Sequence, residues 1–286
     1  MTDQPGITVV VPTFNDPRLR DCLRALDAQT VPCEVVVVDN GSDESPDAIC
    51  EAHGAKLVHE ATPGSYAARN RGLHEVATRI VAFTDADCRP APDWLERLTQ
   101  GLGDEVVVGD VRNEPAGGRS TLTERYDVLR GFPIQRYAAE GYGVTANLAT
   151  TRHVLDAIGG FNAGLRSSGD KDLCLRAQEA GFGFRFVPEA VVRHPARRRF
   201  GELASKYRRI EGGDFLRETP GRRWRAMVQK WLLWPLPPIR FLVGLKHDGT
   251  APRWRDVLLI GWILQGLRWV RAVERTRLVF GGTPRR

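Results

Sequence analysis

Apolar runs and polar breaks alternate along the first two-thirds of the chain. Ile7-Thr-Val-Val-Val-Pro12 and Glu34-Val-Val-Val-Val-Asp39 are continuous β-branched runs, the pattern of strands buried on both faces. Between them Leu19, Leu23 and Leu26 recur at helical spacing and predict a helix over residues 19–29. The same reading gives a helix over 46–53, a strand over 56–59, a helix opening at Gly64 and a strand over 80–83. Beyond it follow a helix at 92–95, strands over 106–109 and 143–147, and a helix over 151–158 that stops at Gly159-Gly160. A helix from Asp170 to Gly181 then leads into strands over 184–187 and 190–193, which end at His194. Residues 113–141 are less regular. This alternation argues an α/β fold with a mostly parallel sheet flanked by helices.

Ligands of such sheets bind beyond the carboxyl ends of the strands. Three expected strand ends carry polar clusters, at residues 13–16, 39–43 and 84–87. The last holds Asp85 and Asp87, spaced i, i+2. On an extended strand that spacing points both carboxylates the same way. Two like charges held close repel, and a divalent cation relieves the repulsion. Oxygen ligands suit Mg²⁺ or Mn²⁺, which reach proteins through one or two carboxylates and substrate phosphates. An isolated Asp-x-Asp also suits a solvated, helix-capping turn, and only its surroundings raise the metal reading.

Net charge is +6 and the sequence pI about 9.3, almost wholly through Arg, which favours an anionic partner. Cys22, Cys33, Cys50, Cys88 and Cys174 lie far apart and odd in number, so neither a disulfide framework nor a zinc site is indicated. Reduced thiols in a cytoplasmic protein are expected. The stretch Met1-Thr-Asp-Gln-Pro-Gly lacks the basic start and apolar run of a signal peptide. The first strand is followed by no Gly-x-Gly-x-x-Gly turn, which counts against a dinucleotide-binding dehydrogenase.

Seven short motifs stand in order. They are Val11-Pro-Thr-Phe-Asn15, Val38-Asp-Asn-Gly-Ser-Asp43, Ala68-Arg-Asn-Arg-Gly72, Thr84-Asp-Ala-Asp87, Gly159-Gly-Phe-Asn162, Ser168-Gly-Asp-Lys-Asp-Leu-Cys-Leu-Arg176 and Val187-Pro-Glu-Ala-Val-Val-Arg-His194. In these the chain resembles the inverting, nucleotide-sugar-dependent glycosyltransferases of family 2, with a GT-A fold, from about Ile7 to His194. The resemblance implies a sugar moved from a nucleoside diphosphate, UDP foremost, to an acceptor hydroxyl. It implies a Mn²⁺ or Mg²⁺ clamp at Asp87, with Asp85 assisting on metal, ribose or sugar. His194 matches a third metal ligand of some such enzymes. Asp170 matches the general base. Pro12, Thr13, Asn15 and Asp39 match positions lining the nucleotide, and Arg69 one that meets the diphosphate. Blander roles stand beside these: a turn and cap for Asp39 and Ser42, a solvated helix face for Arg69 and Arg71, a helix cap for Asp170. Two departures are visible. The family often has Glu-Asp at the base, where this chain has Gly169-Asp170. No Gln-x-x-Arg-Trp follows, which favours single-sugar transfer over polymer synthesis.

From Arg197 the composition changes. Arg197-Arg-Arg199, Tyr207-Arg-Arg209 and Arg222-Arg-Trp-Arg225 are basic, and apolar segments lie at residues 231–238 and 257–267. The second is about half of the ~20 residues that cross a bilayer, and prolines break the first. The expected division is a catalytic domain over 1–196 and a helical, Arg- and Trp-rich extension over 197–286. Trp-rich faces flanked by Arg fit an interfacial helix on an anionic membrane surface, or packing against the catalytic domain or a partner. A lipid-linked or carbohydrate acceptor of cell-envelope synthesis would suit the first, with the protein peripheral on the inner face of the membrane. Rival readings are a nucleotidyltransferase, which would need a Gly-rich basic loop after the first strand, and an inactive scaffold that binds membrane or partners through its basic end. No nucleic-acid motif stands out.

Overall fold

The two valine runs form strands because both of their faces are covered. In the computed structural model, which describes residues 6–236 and 254–285, β1 is Ile7–Thr13 and β2 is Glu34–Asp39. Val9, Val11 and Val37 join one apolar cluster, and Val10, Val36 and Val38 join another on the opposite side. Side chains alternate across a strand, so an unbroken apolar run feeds two cores at once. α1 (Leu19–Asp27) turns Leu19, Cys22, Leu23 and Leu26 into the first cluster. Each fully buried leucine there is worth about 1.5–3 kcal/mol.

The sheet has eight strands in the order β3-β2-β1-β4-β7-β6-β8-β5. β3 is Lys56–His59, β4 Ile80–Phe83, β5 Arg89–Pro90, β6 Glu105–Glu114, β7 Leu148–Thr151 and β8 Gly183–Pro195. β3, β2, β1 and β4 run parallel. β7 is antiparallel to both β4 and β6, and β5 is antiparallel to β8, so the other half is mixed. The helices α2 (Asp47–Ala52), α3 (Ser65–Leu73), α4 (Trp94–Thr99), α5 (Leu122–Arg130), α6 (Ile134–Ala139), α7 (Arg152–Ile158) and α8 (Gly169–Glu179) follow in chain order. The α/β class and the flanking helices are as the sequence predicts.

Three local expectations change. The strand expected at 143–147 is a 3₁₀ turn, Thr145–Asn147, and the strand lies just after it as β7. Asn147 fixes that turn. Its side chain accepts from Trp94 Nε1 at 2.8 Å and donates to the carbonyls of Asp110 and Ala190, both at 2.8 Å. Trp94, held in this way and fully buried, is a packing residue. The pair of strands expected over 184–193 is one continuous strand, β8. Asp85 and Asp87 lie past the end of β4, in a turn closed by Cys88 N–H to the Asp85 carbonyl at 2.9 Å. A turn, not strand alternation, sets their geometry.

Contacts divide the chain into two compact units. The first holds Met1–Asn113 and Phe132–Pro195, the second Glu114–Gly131 and Ala196–Arg286. The second unit thus takes α5 from the middle of the chain. It also holds α9 (Phe200–Arg217), α10 (Pro220–Leu233) and α11 (Trp254–Val279). Tyr126 and Leu203 meet Ile260, Ile263 and Leu267 of α11 in its core. α11 runs well past the apolar stretch read from the sequence, because two of its arginines point inward. Arg275 Nε reaches Glu211 Oε1 at 2.6 Å and Arg271 Nε reaches Oε2 at 2.9 Å, while Lys230 Nζ stands 3.2 Å from Oε1. A carboxylate so surrounded stays ionised while buried. Pro237 and Pro238, expected to break the first apolar segment, lie outside the described residues. Among the described residues, no helix is long and apolar enough to cross a membrane.

Candidate active site

The carboxyl ends of β1 and β2 carry one group of the expected residues. Thr13 and Asp39 are register partners, and both are buried. Pro12, one residue back in β1, pairs with Val38. Asp39 accepts from Ser42 N–H at 3.1 Å and lies 3.3 Å from His59 Nδ1. Asn15 adopts left-handed backbone, φ 49°, a conformation that asparagine tolerates. It bonds Asp43 reciprocally, side-chain oxygen to Asp43 N–H at 2.8 Å and side-chain nitrogen to the Asp43 carboxylate at 2.9 Å. Its own N–H donates to Ser42 Oγ at 2.8 Å. The two loops are thereby locked together. Ser42 and Asp43 are therefore parts of this group, and Asp39 also serves the turn.

The second group surrounds Asp85 and Asp87. Arg69 of α3 is 2% exposed and donates through Nη2 to Asp85 Oδ1. It reaches there because α3 lies tight on β1: a Cβ at Gly72 would stand 2.6 Å from Val10 Cγ1. The guanidinium also sits 5.8 Å from the ring centroids of both Tyr66 and Phe161, within cation–π range. It is no solvated helix face, and its Nε has no hydrogen-bond partner among the described residues. Phe161 packs edge-on against Phe83 at 5.2 Å, so it is core.

His194, at the end of β8 and 5% exposed, brings Nε2 to 3.3 Å from Asp87 Oδ2. Its Nδ1 has no hydrogen-bond partner among the described residues, and Phe132 packs edge-on against the ring at 5.4 Å. Arg18 Nη2 lies 3.5 Å from the same Asp87 oxygen and 2.6 Å from Asp16 Oδ2. Asp16 belongs to the polar cluster at residues 13–16, but Arg18, Tyr66 and Phe132 carry no sequence signal for this site, since only tertiary contact brings them here. Cys88 is buried beside Asp87, and burial with the two aspartates pushes its thiol well above the usual range. It stays protonated and inert.

A divalent cation suits this donor set. Ligand atoms of Asp85, Asp87 and Cys88 lie within 4.8 Å of one another. Oxygen donors favour Mg²⁺ or Mn²⁺ over soft metals, and the neutral thiol adds little. His194 presents Nε2 at the same carboxylate.

Asp170 opens α8, half-buried, its Oδ1 accepting from Lys171 N–H at 3.1 Å. Burial raises its pKa above the usual carboxylate range. The Lys171 N–H and the Arg69 charge oppose the rise, and the Asp85 charge adds to it. Asp170 thus shares an electrostatic environment with Arg69 and Asp85. The glycine before it has a physical reason. Tyr66 Oη accepts from Gly169 N–H at 2.9 Å, and a Cβ at 169 would stand 2.6 Å from the Tyr66 ring. The tyrosine occupies the space a glutamate would need. Gly169→Ala is expected to destabilise the fold by about 1–3 kcal/mol through overpacking. Thermal unfolding of Gly169→Ala and of the double variant with Tyr66→Ala checks this: the second change should recover part of the loss.

A cavity of ≈ 560 Å³ lies elsewhere, lined by Leu26, Cys33, Glu34, His53, Lys56 and Glu75 among others, and none of the site residues lines it.

Comparison with known proteins decides the family. The family model described as glycosyl transferase family 2 matches residues 8–172. The chain belongs to glycosyl transferase family 2. It is 32% identical over 283 residues to glycosyltransferase AglE of Haloferax volcanii, covering 90% of this chain and 92% of that protein. It is 33% identical over 210 residues to the pre-mycofactocin glycosyltransferase of Mycobacterium tuberculosis, covering 67% of this chain and 43% of that one. Among solved structures, S. aureus TarS 1-349 in complex with UDP-GlcNAc superposes with a TM-score of 0.54 at 15% identity, covering 98% of this chain and 93% of TarS 1-349. The glucosyl-3-phosphoglycerate synthase of M. tuberculosis, in complex with Mn²⁺, UDP and phosphoglyceric acid, gives 0.51 at 21% identity, covering 74% of this chain and 78% of that chain. These structures share the GT-A fold. A family 2 member this similar to curated glycosyltransferases is a glycosyltransferase.

Proposed function

We propose that this enzyme transfers a sugar from a nucleoside-diphosphate donor, UDP-linked, to an acceptor hydroxyl with inversion, one sugar per encounter. The acceptor is a carbohydrate or a lipid-linked glycan of cell-envelope synthesis. The convergence of Asp85 and Asp87, past the end of β4, with His194, near the end of β8, and Asp170 in the electrostatic environment of Arg69 and Asp85 carries the reading. The two solved structures named above, one with UDP-GlcNAc and one with Mn²⁺ and UDP, support it. Asp87 and His194 would hold Mn²⁺ or Mg²⁺, with Asp85 beside them; the ion supplies charge stabilisation to the leaving diphosphate. Arg69 holds Asp85 in place and adds a positive field. Pro12, Thr13, Asn15 and Asp39 line the nucleotide, with Asp39 on the ribose. Asp170 takes the proton of the acceptor hydroxyl, and its raised pKa makes it a stronger base than an ordinary aspartate.

Calorimetry with UDP tests the donor half. Binding should tighten at least tenfold on adding Mn²⁺. A folded chain that binds no nucleoside diphosphate under either condition would leave the inactive scaffold as the better reading.

A further inference from the structure

The second unit carries an apolar face that none of its described residues covers. Along α11, Leu258, Trp262, Trp269, Val273 and Phe280 just beyond its end are exposed, Trp262 by 77% and Phe280 by 71%. At 3.6 residues per turn these five positions fall in a band about 60° wide and about 33 Å long. The opposite side of the same helix, Ile260, Ile263, Leu267, Val270 and Leu278, is buried. α11 is therefore apolar on two sides; the second packs into the core of the unit, and the first stays exposed along most of its length.

α10 widens the band. Trp224, Val228 and Trp231 recur at i, i+4, i+7, and all are exposed. Trp224 meets Phe280 edge to face at 5.6 Å, and Trp231 Nε1 donates to Thr276 Oγ1 at 2.9 Å. The two stripes thus adjoin. Exposed apolar surface this continuous marks an interaction site.

Charge decides among occupants. Residues 196–286 hold 21 Lys and Arg against 7 Asp and Glu, a net +14 in a chain whose total is only +6. Residues 1–195 are therefore net −8, with 20 against 28. The basic excess sits wholly in the part of the chain that carries the apolar face. Arg222 and Arg225 flank Trp224 and are exposed. A second copy would bring like charge onto like charge. An anionic bilayer offers the opposite sign, and its headgroup layer is where indoles settle. Four of the chain's 7 tryptophans stand on this face.

We propose that the α10–α11 face docks this protein on the surface of an anionic lipid bilayer. Trp224, Trp231, Trp262 and Trp269 seat at headgroup depth, and the arginines face the lipid phosphates. The contact is interfacial, not spanning.

Flotation of the full chain with vesicles tests this. The native chain should float with phosphatidylcholine–phosphatidylglycerol vesicles and stay behind with phosphatidylcholine alone. Trp262→Ser with Trp269→Ser should weaken partition at least tenfold, with the circular dichroism spectrum and UDP binding unchanged. Arg222→Gln with Arg225→Gln should weaken partition and flatten its salt dependence. No flotation with the anionic vesicles at low salt would overturn the proposal, as would equal partition of the tryptophan variant. A native dimer in sedimentation velocity that the tryptophan pair abolishes, without vesicle binding, would give the face to a second copy instead.

Discussion

Replacing Asp87 with alanine is expected to abolish Mn²⁺-dependent UDP binding and to lower the transfer rate about 10³-fold or more. The magnitude follows from the charge that builds on the leaving diphosphate. A cation at that point supplies several kcal/mol of transition-state stabilisation, and each 1.36 kcal/mol is about tenfold in rate. The structure also says why Asp87 gives a cleaner experiment than Asp85. Asp85 is the counter-charge of Arg69, whose side chain is 3% exposed. Removing it strands a buried cation, at a stability loss of about 3–5 kcal/mol. Asp87 has a partner that manages without it: Arg18 keeps Asp16 at 2.6 Å. Calorimetry with and without Mn²⁺, beside a melting curve, reads both effects. Wild-type metal dependence in a folded Asp87→Ala would remove Asp87 from the metal site.

If Asp170 is the proposed general base, Asp170→Asn should lower kcat about 10²–10⁴-fold, the usual worth of such a group, while UDP affinity holds. The pH profile carries a second signature. Burial raises the Asp170 pKa, so activity falls, as pH drops, at a higher pH than an ordinary aspartate would set. Stability moves the other way. A carboxyl whose folded pKa lies above its unfolded one binds protons more tightly when folded. Stability is then lost as pH rises from the unfolded pKa through the folded one, and the whole penalty is present at neutral pH. Asparagine removes that charge. The variant should melt no lower than the native chain at neutral pH, and the difference should vanish in acid. A slow, less stable Asp170→Asn would mark a structural aspartate instead.

Much of the catalytic half was legible because burial on both faces leaves a simple trace. An unbroken valine run is poorly suited to a helix or a solvated loop, and polar clusters at its carboxyl end say where ligands go. The 143–147 segment misled because Val144 and Thr145 read as strand formers, while Asn147 pins a 3₁₀ turn through groups in Trp94, Asp110 and Ala190. Tyr66 was out of reach for a similar reason. Its partner Gly169 is 103 residues away, and the two residues make sense only as a pair. Arg18 beside Asp87 follows from where α1 begins, which no local pattern encodes. One signal in the irregular stretch was available. Thr121 and Glu124 form a capping box that opens α5, with Thr121 Oγ1 accepting from Glu124 N–H at 3.1 Å. What the pattern does not carry is α5's destination. Its buried face, Tyr126 above all, finds partners in α9 and α11, helices that begin only at Phe200 and Trp254.

That destination bears on how the gene can be recombined. The chain crosses between its units after residues 113, 131 and 195, so the basic, tryptophan-bearing half is not a cassette fused to the end of a transferase. Cutting after residue 196 would leave α5 behind with Tyr126, now 1% exposed, stripped of its apolar neighbours in α9 and α11. Swapping the tail alone between relatives would mismatch the same surface. An exchange that respects the fold moves two segments together, residues 114–131 and everything from 196 onward.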